Sequence, residues 1–224
     1  PVTVTTVTVM PSDTGYSFTT ATAGTLTTDN SLGSAYASSD TATHNVAISS
    51  NGATLNDSGA GSVEMYMPMT AAISGTTSGT VTYSGSLSSI SGAGGKWSPI
   101  EFVDASGNVI AAVRTSSSTT TTPDHTNDTV TDKYSLAIPD GENYYYYETS
   151  TPNNGTTEFS YTVVFDYDAK TVSLTIGDST VTSTAMTELS AVAGIQGVTR
   201  GSKANSYTFG DITISVTPAS DDTT

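Results

Sequence analysis

The 224-residue sequence contains no cysteine, which excludes a disulfide framework and thiolate metal sites. Positive charge is scarce, since 6 lysines and arginines stand against 21 aspartates and glutamates, for a formal net charge of −15. Nucleic acids and anionic lipids bind basic surfaces, so neither is expected as a partner. No stretch approaches the length of about 18 apolar residues that a membrane span needs, and no membrane insertion is expected. A neutral polymer or a protein surface suits this charge better.

Catalytic side chains are also few. The sequence has 2 histidines, His44 and His125, and neither stands beside a G-x-S-x-G nucleophile elbow. Glycoside hydrolysis needs two carboxylates a short distance apart. Asp166 and Asp168 are close in sequence, but they flank a predicted hairpin turn, where aspartates commonly bond the local backbone. We therefore expect a protein that binds and does not catalyse.

Threonine, serine, valine and tyrosine are abundant instead, and β-branched and aromatic residues favour strands. Alternating apolar residues between turn signals predict roughly twelve strands. The clearest are a hairpin over residues 99–114, a meander over residues 157–182 and a last strand over residues 207–217. Residues 185–192 are predicted to be a short helix. The pattern indicates one all-β antiparallel β-sandwich over residues 1–217, with at most one or two short helices, and the start of a linker over residues 218–224.

Three stretches carry a resemblance to a known group of folds. They are FVDASGNVIAAVR at residues 102–114, YTVVFDYDAKTVSLTIGDSTVT at residues 161–182, and GDITISV at residues 210–216. Together they resemble the concanavalin-A-like jelly-roll sandwiches. The resemblance implies a carbohydrate-binding module of a secreted or cell-surface glycan-degrading system of the gut-bacterial type, and a structural calcium ion.

The same group includes glycosidases, which carry three acids on one strand in the pattern E-x-D-x-x-E. This sequence has only Glu101 and Asp104 in the corresponding hairpin. Their odd spacing points them to opposite faces of a sheet. The departure from the pattern counts against catalysis.

Aromatic residues are the most informative candidates for a binding site. Flat rings with polar groups at their edges suit the recognition of neutral sugars. Trp97 is the one tryptophan, and it follows a glycine-rich segment of the kind that runs over a surface. It could stack on a sugar with Lys96 donating a hydrogen bond, or it could cap the core where a strand begins.

A run of four tyrosines is the second aromatic candidate. On a strand, alternate side chains share a face about 6.5–7 Å apart, so Tyr144 and Tyr146 face one side and Tyr145 and Tyr147 the other. At least one pair is expected on the solvent side unless a neighbouring segment covers it. The candidate ligand-binding residues are Lys96, Trp97, Asn143, Tyr144, Tyr145, Tyr146, Tyr147 and Asn154.

A structural calcium ion would need oxygen ligands. Asp166, Asp168 and Asp211 are the candidates, although no D-x-D-x-D-G loop is present. The alternative for the first two is the turn chemistry already mentioned.

The sequence thus predicts a monomeric module that binds a neutral polysaccharide, with starch-type α-glucan as the first candidate. Other modules of a multidomain extracellular protein are the expected neighbours. A structural or adhesive cell-surface module that binds protein is the alternative, and its Lys133, Lys170 or Lys203 could form an isopeptide crosslink with Asn205 or Asn143. A glycosidase is the weaker alternative.

Overall fold

The computed structural model describes residues 5–59, 61–92, 97–116, 133–141, 143–153, 156–199 and 204–220. Within these ranges the chain forms eighteen strands, a 3₁₀ turn at Asn30–Leu32 and one α-helical turn at Ala71–Ser74. No helix in these ranges is long and apolar enough to cross a membrane. The strands form two sheets that enclose one apolar core, which confirms the predicted all-β sandwich.

The first sheet has eleven strands. They are β1 (Thr6–Val7), β2 (Gly15–Tyr16), β3 (Gly24–Leu26), β5 (His44–Ser49), β6 (Gly52–Asp57), β8 (Thr80–Ser91), β13 (Phe159–Asp166), β14 (Thr171–Ile176), β15 (Ser179–Thr182), β17 (Asn205–Phe209) and β18 (Ile212–Thr217). Their main path runs β1-β3-β5-β6-β17-β8-β13-β14-β15. The β18 strand pairs with both β8 and β2, so residues near the two ends of the sequence are joined.

The second sheet has seven strands in the order β12-β11-β10-β9-β16-β7-β4. They are β4 (Tyr36–Ala37), β7 (Glu64–Pro68), β9 (Trp97–Val103), β10 (Val109–Ser116), β11 (Lys133–Asp140), β12 (Asn143–Pro152) and β16 (Gly194–Val198). All neighbours in this sheet are antiparallel. β16 lies between β9 and β7, far from either in sequence.

The core forms because side chains alternate along each strand. Met65 and Met67 on β7 are fully buried, whereas Glu64 on the same strand is exposed. Tyr83 and Phe102 come from opposite sheets, and their ring centroids lie 5.1 Å apart. Phe165 completes the cluster at 5.3 Å from Phe102. Aromatic contacts of this kind join the two sheets.

The predicted hairpin over residues 99–114 corresponds to β9 and β10, and the predicted meander corresponds to β13, β14 and β15. The predicted helix over residues 185–192 is wrong, because this segment bonds to other parts of the chain. Met186 N donates to Lys170 O at 2.9 Å, and Ala193 N donates to Val103 O at 2.8 Å. The predicted last strand is two strands, β17 and β18, separated at Gly210 and Asp211. The domain boundaries stay a prediction.

Candidate functional site

The seven-stranded sheet turns one face to the core and its other face outward. One continuous row of register partners crosses this outer face from β4 to β12. In order across the sheet, the row contains Tyr36, Tyr66, Gln196, Glu101, Ala112, Ala137 and Tyr146. The row therefore has tyrosines at both ends and polar and small residues between them.

The middle of the outer face is a low floor. Ala112 and Ala137 are 1% and 0% exposed, yet neither belongs to the core cluster. Taller side chains must therefore rise around them. On β16, a Cβ at Gly194 would lie 2.4 Å from Cζ of Tyr66, so the Tyr66 ring lies across a position that has no side chain. Small residues thus lie in the middle of this outer face, covered by taller neighbours, and tyrosines lie at its two ends; we call this surface the groove.

One wall of the groove is a platform formed by Tyr144, Tyr146 and Arg114. The two ring centroids are 6.2 Å apart, with 38° between the ring planes. The guanidinium carbon of Arg114 lies 5.4 Å from each centroid, which is within the range of a cation–π interaction. Arg114 thereby supports both rings, and the platform is formed before any ligand binds.

Two polar atoms beside this platform have no partner. The Nε of Arg114 and the Oγ of Ser135 are buried without a hydrogen bond to any residue that the structure describes. The two residues are register partners on β10 and β11. Buried polar atoms are normally paired, with protein, water or ligand. Both atoms therefore keep an unused hydrogen-bonding capacity next to the platform, although neither is open to solvent.

The opposite wall is formed by Tyr36 and Tyr66, whose ring centroids are 5.3 Å apart. Burial raises the pKa of Tyr66, and the neighbouring Tyr36 and Asp104 raise it further. Burial also raises the pKa of Tyr146, although Arg114 opposes this effect. Both phenols consequently stay protonated at neutral pH and can donate hydrogen bonds.

Glu101 stands in the centre of the groove and is partly buried. Burial raises the pKa of its carboxyl, the nearby Glu64 raises it further, and Arg114 lowers it. The arrangement places a half-buried acid among the polar groups of the floor.

The raised pKa of Glu101 predicts a pH-dependent effect on stability. In the unfolded chain Glu101 ionises at a lower pH than in the folded protein, so its contribution to stability is lost as pH rises through the folded pKa. We expect Glu101→Gln to increase the free energy of unfolding near neutral pH and to change it little at acidic pH, as measured by urea denaturation. Glu158→Gln, at an exposed position, is the matched control for the loss of one negative charge. An equal gain in both variants would contradict the prediction.

The four tyrosines divide as strand alternation predicts. Tyr144 and Tyr146 face outward, whereas Tyr145 and Tyr147 pack against the core. The hydroxyl of Tyr147 lies 3.1 Å from that of Thr184. Only the first pair can therefore offer ring faces in the groove.

The prediction of an exposed Trp97 is wrong, and the alternative of a core-capping tryptophan is right. Trp97 is 6% exposed, its Nε1 donates to the carbonyl of Val198 at 2.6 Å, and its ring meets Tyr207 edge-on at 4.7 Å. A ring enclosed in this way has no face for a sugar. Lys96 and Asn154 lie outside the described residues, and of Asn143 only its backbone pairing with Asp140 is described.

The three predicted calcium ligands are not brought together. Asp166 accepts from Ala169 N at 2.8 Å, and Asp168 accepts from Gly79 N at 3.0 Å. Asp211 accepts from Phe18 N at 2.7 Å and Thr19 N at 3.0 Å. Asp166 is the register partner of Thr80, at one end of β8. Asp211 follows Gly210, whose backbone N donates to the carbonyl of Ser86, about 20 Å further along β8.

The carboxylate of Asp166 thus accepts a hydrogen bond within its own turn, as the alternative interpretation predicted. Among the residues that the structure describes, no group of three His, Cys, Asp or Glu side chains could hold a metal ion. The three aspartates do not fit one calcium site, and a structural calcium elsewhere stays a prediction. Of the lysines considered for a crosslink, Lys170 donates to the carbonyl of Thr187 at 2.9 Å.

Sequence reasoning missed most of the groove. The missed residues are Tyr36, Glu64, Tyr66, Arg114, Ser135 and Gln196. Alternation with Met65 and Met67 does predict that Glu64 and Tyr66 share the opposite face of their strand, but it does not show that this face belongs to a binding site. Nothing local in the sequence shows that β16 brings Gln196 between them and Glu101.

No protein family and no curated protein matches the chain. Solved structures match it in fold at low sequence identity. A sialidase has a TM-score of 0.59 at 11% identity, over 94% of this chain and 18% of its own. A botulinum neurotoxin type C structure has a TM-score of 0.53 at 10% identity, over 95% and 48% of the two chains. The alginate lyase AlyC3 has a TM-score of 0.52 at 9% identity, over 74% and 75%. The chain spans under a fifth of the sialidase and about half of the neurotoxin chain, and the likeness shows a shared β-sandwich fold.

Proposed function

We propose that the groove on the outer face of the seven-stranded sheet binds a glycan chain without cleaving it. The observation that carries the proposal is the row with tyrosine pairs at both ends and a floor of small residues between them. Pyranose rings stack on aromatic faces, and their hydroxyls bond to amide, carboxylate and phenol groups. Gln196 and Glu101 supply such groups in the centre of the row.

The geometry suggests the direction and the length of the ligand. Tyr66 on β7 and Tyr146 on β12 are five strand spacings apart, which is about 24 Å along the sheet. A chain that contacts both walls must therefore run across the strands. A disaccharide reaches one wall only, and a longer oligosaccharide can reach both.

Binding without cleavage suits the side chains of the groove. Burial raises the pKa of the Tyr66 and Tyr146 phenols, and the acids Glu101 and Glu64 lie on strands separated by β16. His44, the histidine that the structure describes, is on the other sheet. The alginate lyase neighbour is an enzyme by name, so the absence of cleavage is itself part of the test.

The ligand we favour is a neutral polysaccharide, with starch-type α-glucan first. The net charge of −15 and the acids of the groove disfavour polyanions, and Arg114 is held against two tyrosine rings. Cell entry of botulinum neurotoxin type C depends on interaction with two ganglioside molecules, and AlyC3 was solved in complex with dimannuronate. Glycan partners of proteins that share this fold support a glycan here. The setting we propose is extracellular, as a monomeric module beside others.

Affinity electrophoresis in gels that contain starch, xylan, β-glucan, mannan or alginate tests the proposal. We expect at least one neutral polysaccharide to retard the protein. Calorimetry with an oligosaccharide series of the retarding glycan should show affinity rising beyond the disaccharide. Retardation by none of the gels would overturn glycan binding, and retardation by alginate alone would overturn the neutral ligand. New reducing ends or unsaturated products after incubation would show an enzyme instead.

A further inference from the structure

A second polar row lies on the outward side of the eleven-stranded sheet. Its four members are successive register partners across β5, β6, β17 and β8, and they are Asn45, Asn56, Ser206 and Ser91. Both asparagines alternate with buried core residues of their strands, so their side chains point away from the core. The row extends over three strand spacings, which is about 14 Å. We call it the asparagine row.

An open cavity of about 450 Å³ is lined by all four members of the asparagine row, and ligand pockets usually have about 300–1,000 Å³. Its other described lining residues are Ala42, Thr43, Asp57, Ser58, Ala204 and Asn205. Asp57 is the one ionisable residue among those described, and it is 4% exposed. Its carboxylate already accepts from Gly59 N at 3.0 Å and from Oγ1 of Thr199 at 3.1 Å. The cavity therefore presents amides and hydroxyls, which suit an uncharged ligand.

Hydrogen bonds hold the side chains of the row in place before any ligand binds. Nδ2 of Asn56 donates to Oδ1 of Asn45 at 3.0 Å, and Nδ2 of Asn45 donates to the carbonyl of Thr41 at 2.8 Å. The hydroxyl oxygens of Ser91 and Ser206 are 2.9 Å apart and share a hydrogen bond. Side chains that are already ordered lose little conformational entropy when a ligand binds.

These bonds leave part of the hydrogen-bonding capacity of the row unused. A carboxamide has two donor protons and an oxygen with two lone pairs, and a hydroxyl both donates and accepts. Within the described part of the chain, Asn45 keeps one Nδ2 proton and Asn56 keeps its Oδ1. The two serines keep one hydroxyl proton, because only one of them donates in the bond between them. The row therefore offers both donors and acceptors, which is what sugar hydroxyls require.

A peptide would find less to bind at this place. Extended peptides bind sheets mainly through the free main-chain groups of an edge strand, whereas β6 and β17 are each paired on both sides. Among the described lining residues the apolar side chains are those of Ala42 and Ala204, which form no pocket for a large apolar side chain. Hydrogen bonding to the hydroxyls of a sugar is the chemistry that the asparagine row supports best.

We propose that the asparagine row is a second carbohydrate site, which binds a short neutral saccharide through hydrogen bonds. No aromatic residue is present among its described lining residues, so its affinity is weaker than that of the groove. The row and the groove lie on the outward faces of different sheets, so one molecule holds two glycan chains on opposite sides. The two sites share no residue, and this proposal can therefore fail while the proposed function holds, and the reverse.

Nuclear magnetic resonance of the isotope-labelled full chain tests the site, with glucose, galactose, mannose, xylose and maltose as the probes. We expect at least one of these sugars to shift the side-chain NH₂ signals of Asn45 and Asn56 in a saturable way. Asn45→Ala should weaken the binding of that sugar by about tenfold, as read from the Asn56 signal, because hydrogen bonds to the ligand are lost. Asn51→Ala, in the exposed turn between β5 and β6, is the matched control and should leave binding unchanged.

Ser206→Leu keeps both asparagines and places an apolar side chain in the cavity, so it should abolish the shifts even if Asn45→Ala fails to fold. Absence of shifts with every sugar would overturn the second site. Shifts confined to the backbone signals of the groove, such as those of Tyr144 and Tyr146, would overturn it and leave the proposed function intact. Equal weakening by Asn51→Ala, or larger shifts with a blocked alanine dipeptide than with any sugar, would also overturn it.

Discussion

Replacement of Trp97 by alanine is expected to lower the free energy of unfolding by about 3–5 kcal/mol, the usual cost of removing a large buried aromatic side chain. The ring is 6% exposed, packs edge-on against Tyr207 and donates a hydrogen bond to the carbonyl of Val198. The substitution therefore leaves a cavity and an unpaired carbonyl. Urea denaturation measures the loss. Under conditions in which the variant is folded, its glycan affinity should equal that of the wild type.

Trp97→Phe is the matched control. It keeps a ring in the core and removes the donor to Val198, so its loss of stability should be smaller. Loss of glycan binding in a Trp97→Ala protein of unchanged stability would contradict this prediction and show that the tryptophan contacts the ligand.

The double change Tyr144→Ala and Tyr146→Ala is expected to weaken glycan binding by roughly tenfold to a hundredfold. Each ring contact contributes about 0.5–1.5 kcal/mol beyond its buried area, and about 1.4 kcal/mol corresponds to a factor of ten in affinity. Removal of both rings also frees Arg114, which they hold at 5.4 Å. Because both tyrosines are only partly buried, the protein should remain folded. Calorimetry with the retarding oligosaccharide measures the effect.

Two further variants sharpen this result. Tyr147→Phe, on the inner side of the same strand, should leave affinity unchanged. Tyr36→Ala, at the opposite wall, should weaken the binding of long oligosaccharides and leave that of a disaccharide at the Tyr144–Tyr146 platform unaffected. A folded double variant with full affinity would place the glycan elsewhere on the molecule.

Alternation along a strand was sufficient to divide the four tyrosines into two pairs. It could not decide which pair faces outward, because that depends on β11. Tyr145 and Tyr147 are register partners of Ile138 and Leu136, and these face the core. The glycine-rich segment before Trp97 did not show whether the tryptophan is exposed or buried, since such a segment can run over a surface or lead into the start of a strand. The contact with Tyr207 that resolves it comes from 110 residues later in the chain.

Long-range pairing also explains the other errors. Met186, Leu189 and Val192 are spaced like one face of a helix, yet all three contact the core from a segment without regular secondary structure. The division of the predicted last strand into β17 and β18 could have been predicted from the local sequence. Tyr207 and Phe209 share one phase of alternation and Ile212 and Ile214 the other, and all four are buried. The groove required the order of seven strands, which no short stretch of sequence encodes.

The pairing of β2 with β18 has a consequence for how the protein folds. Tyr16 and Ile212 are register partners, and among the strands that the structure describes β2 pairs with β18 alone. This pairing cannot form until a segment almost 200 residues later has been synthesised. Folding slows as contacts become more distant in sequence. We expect the pairing of β2 with β18 to form late, on a timescale of milliseconds to seconds. Asp211 stabilises this pairing by accepting hydrogen bonds from Phe18 N and Thr19 N. During that interval the edge of β18 is open to wrong partners, and refolding at high concentration should favour association between chains.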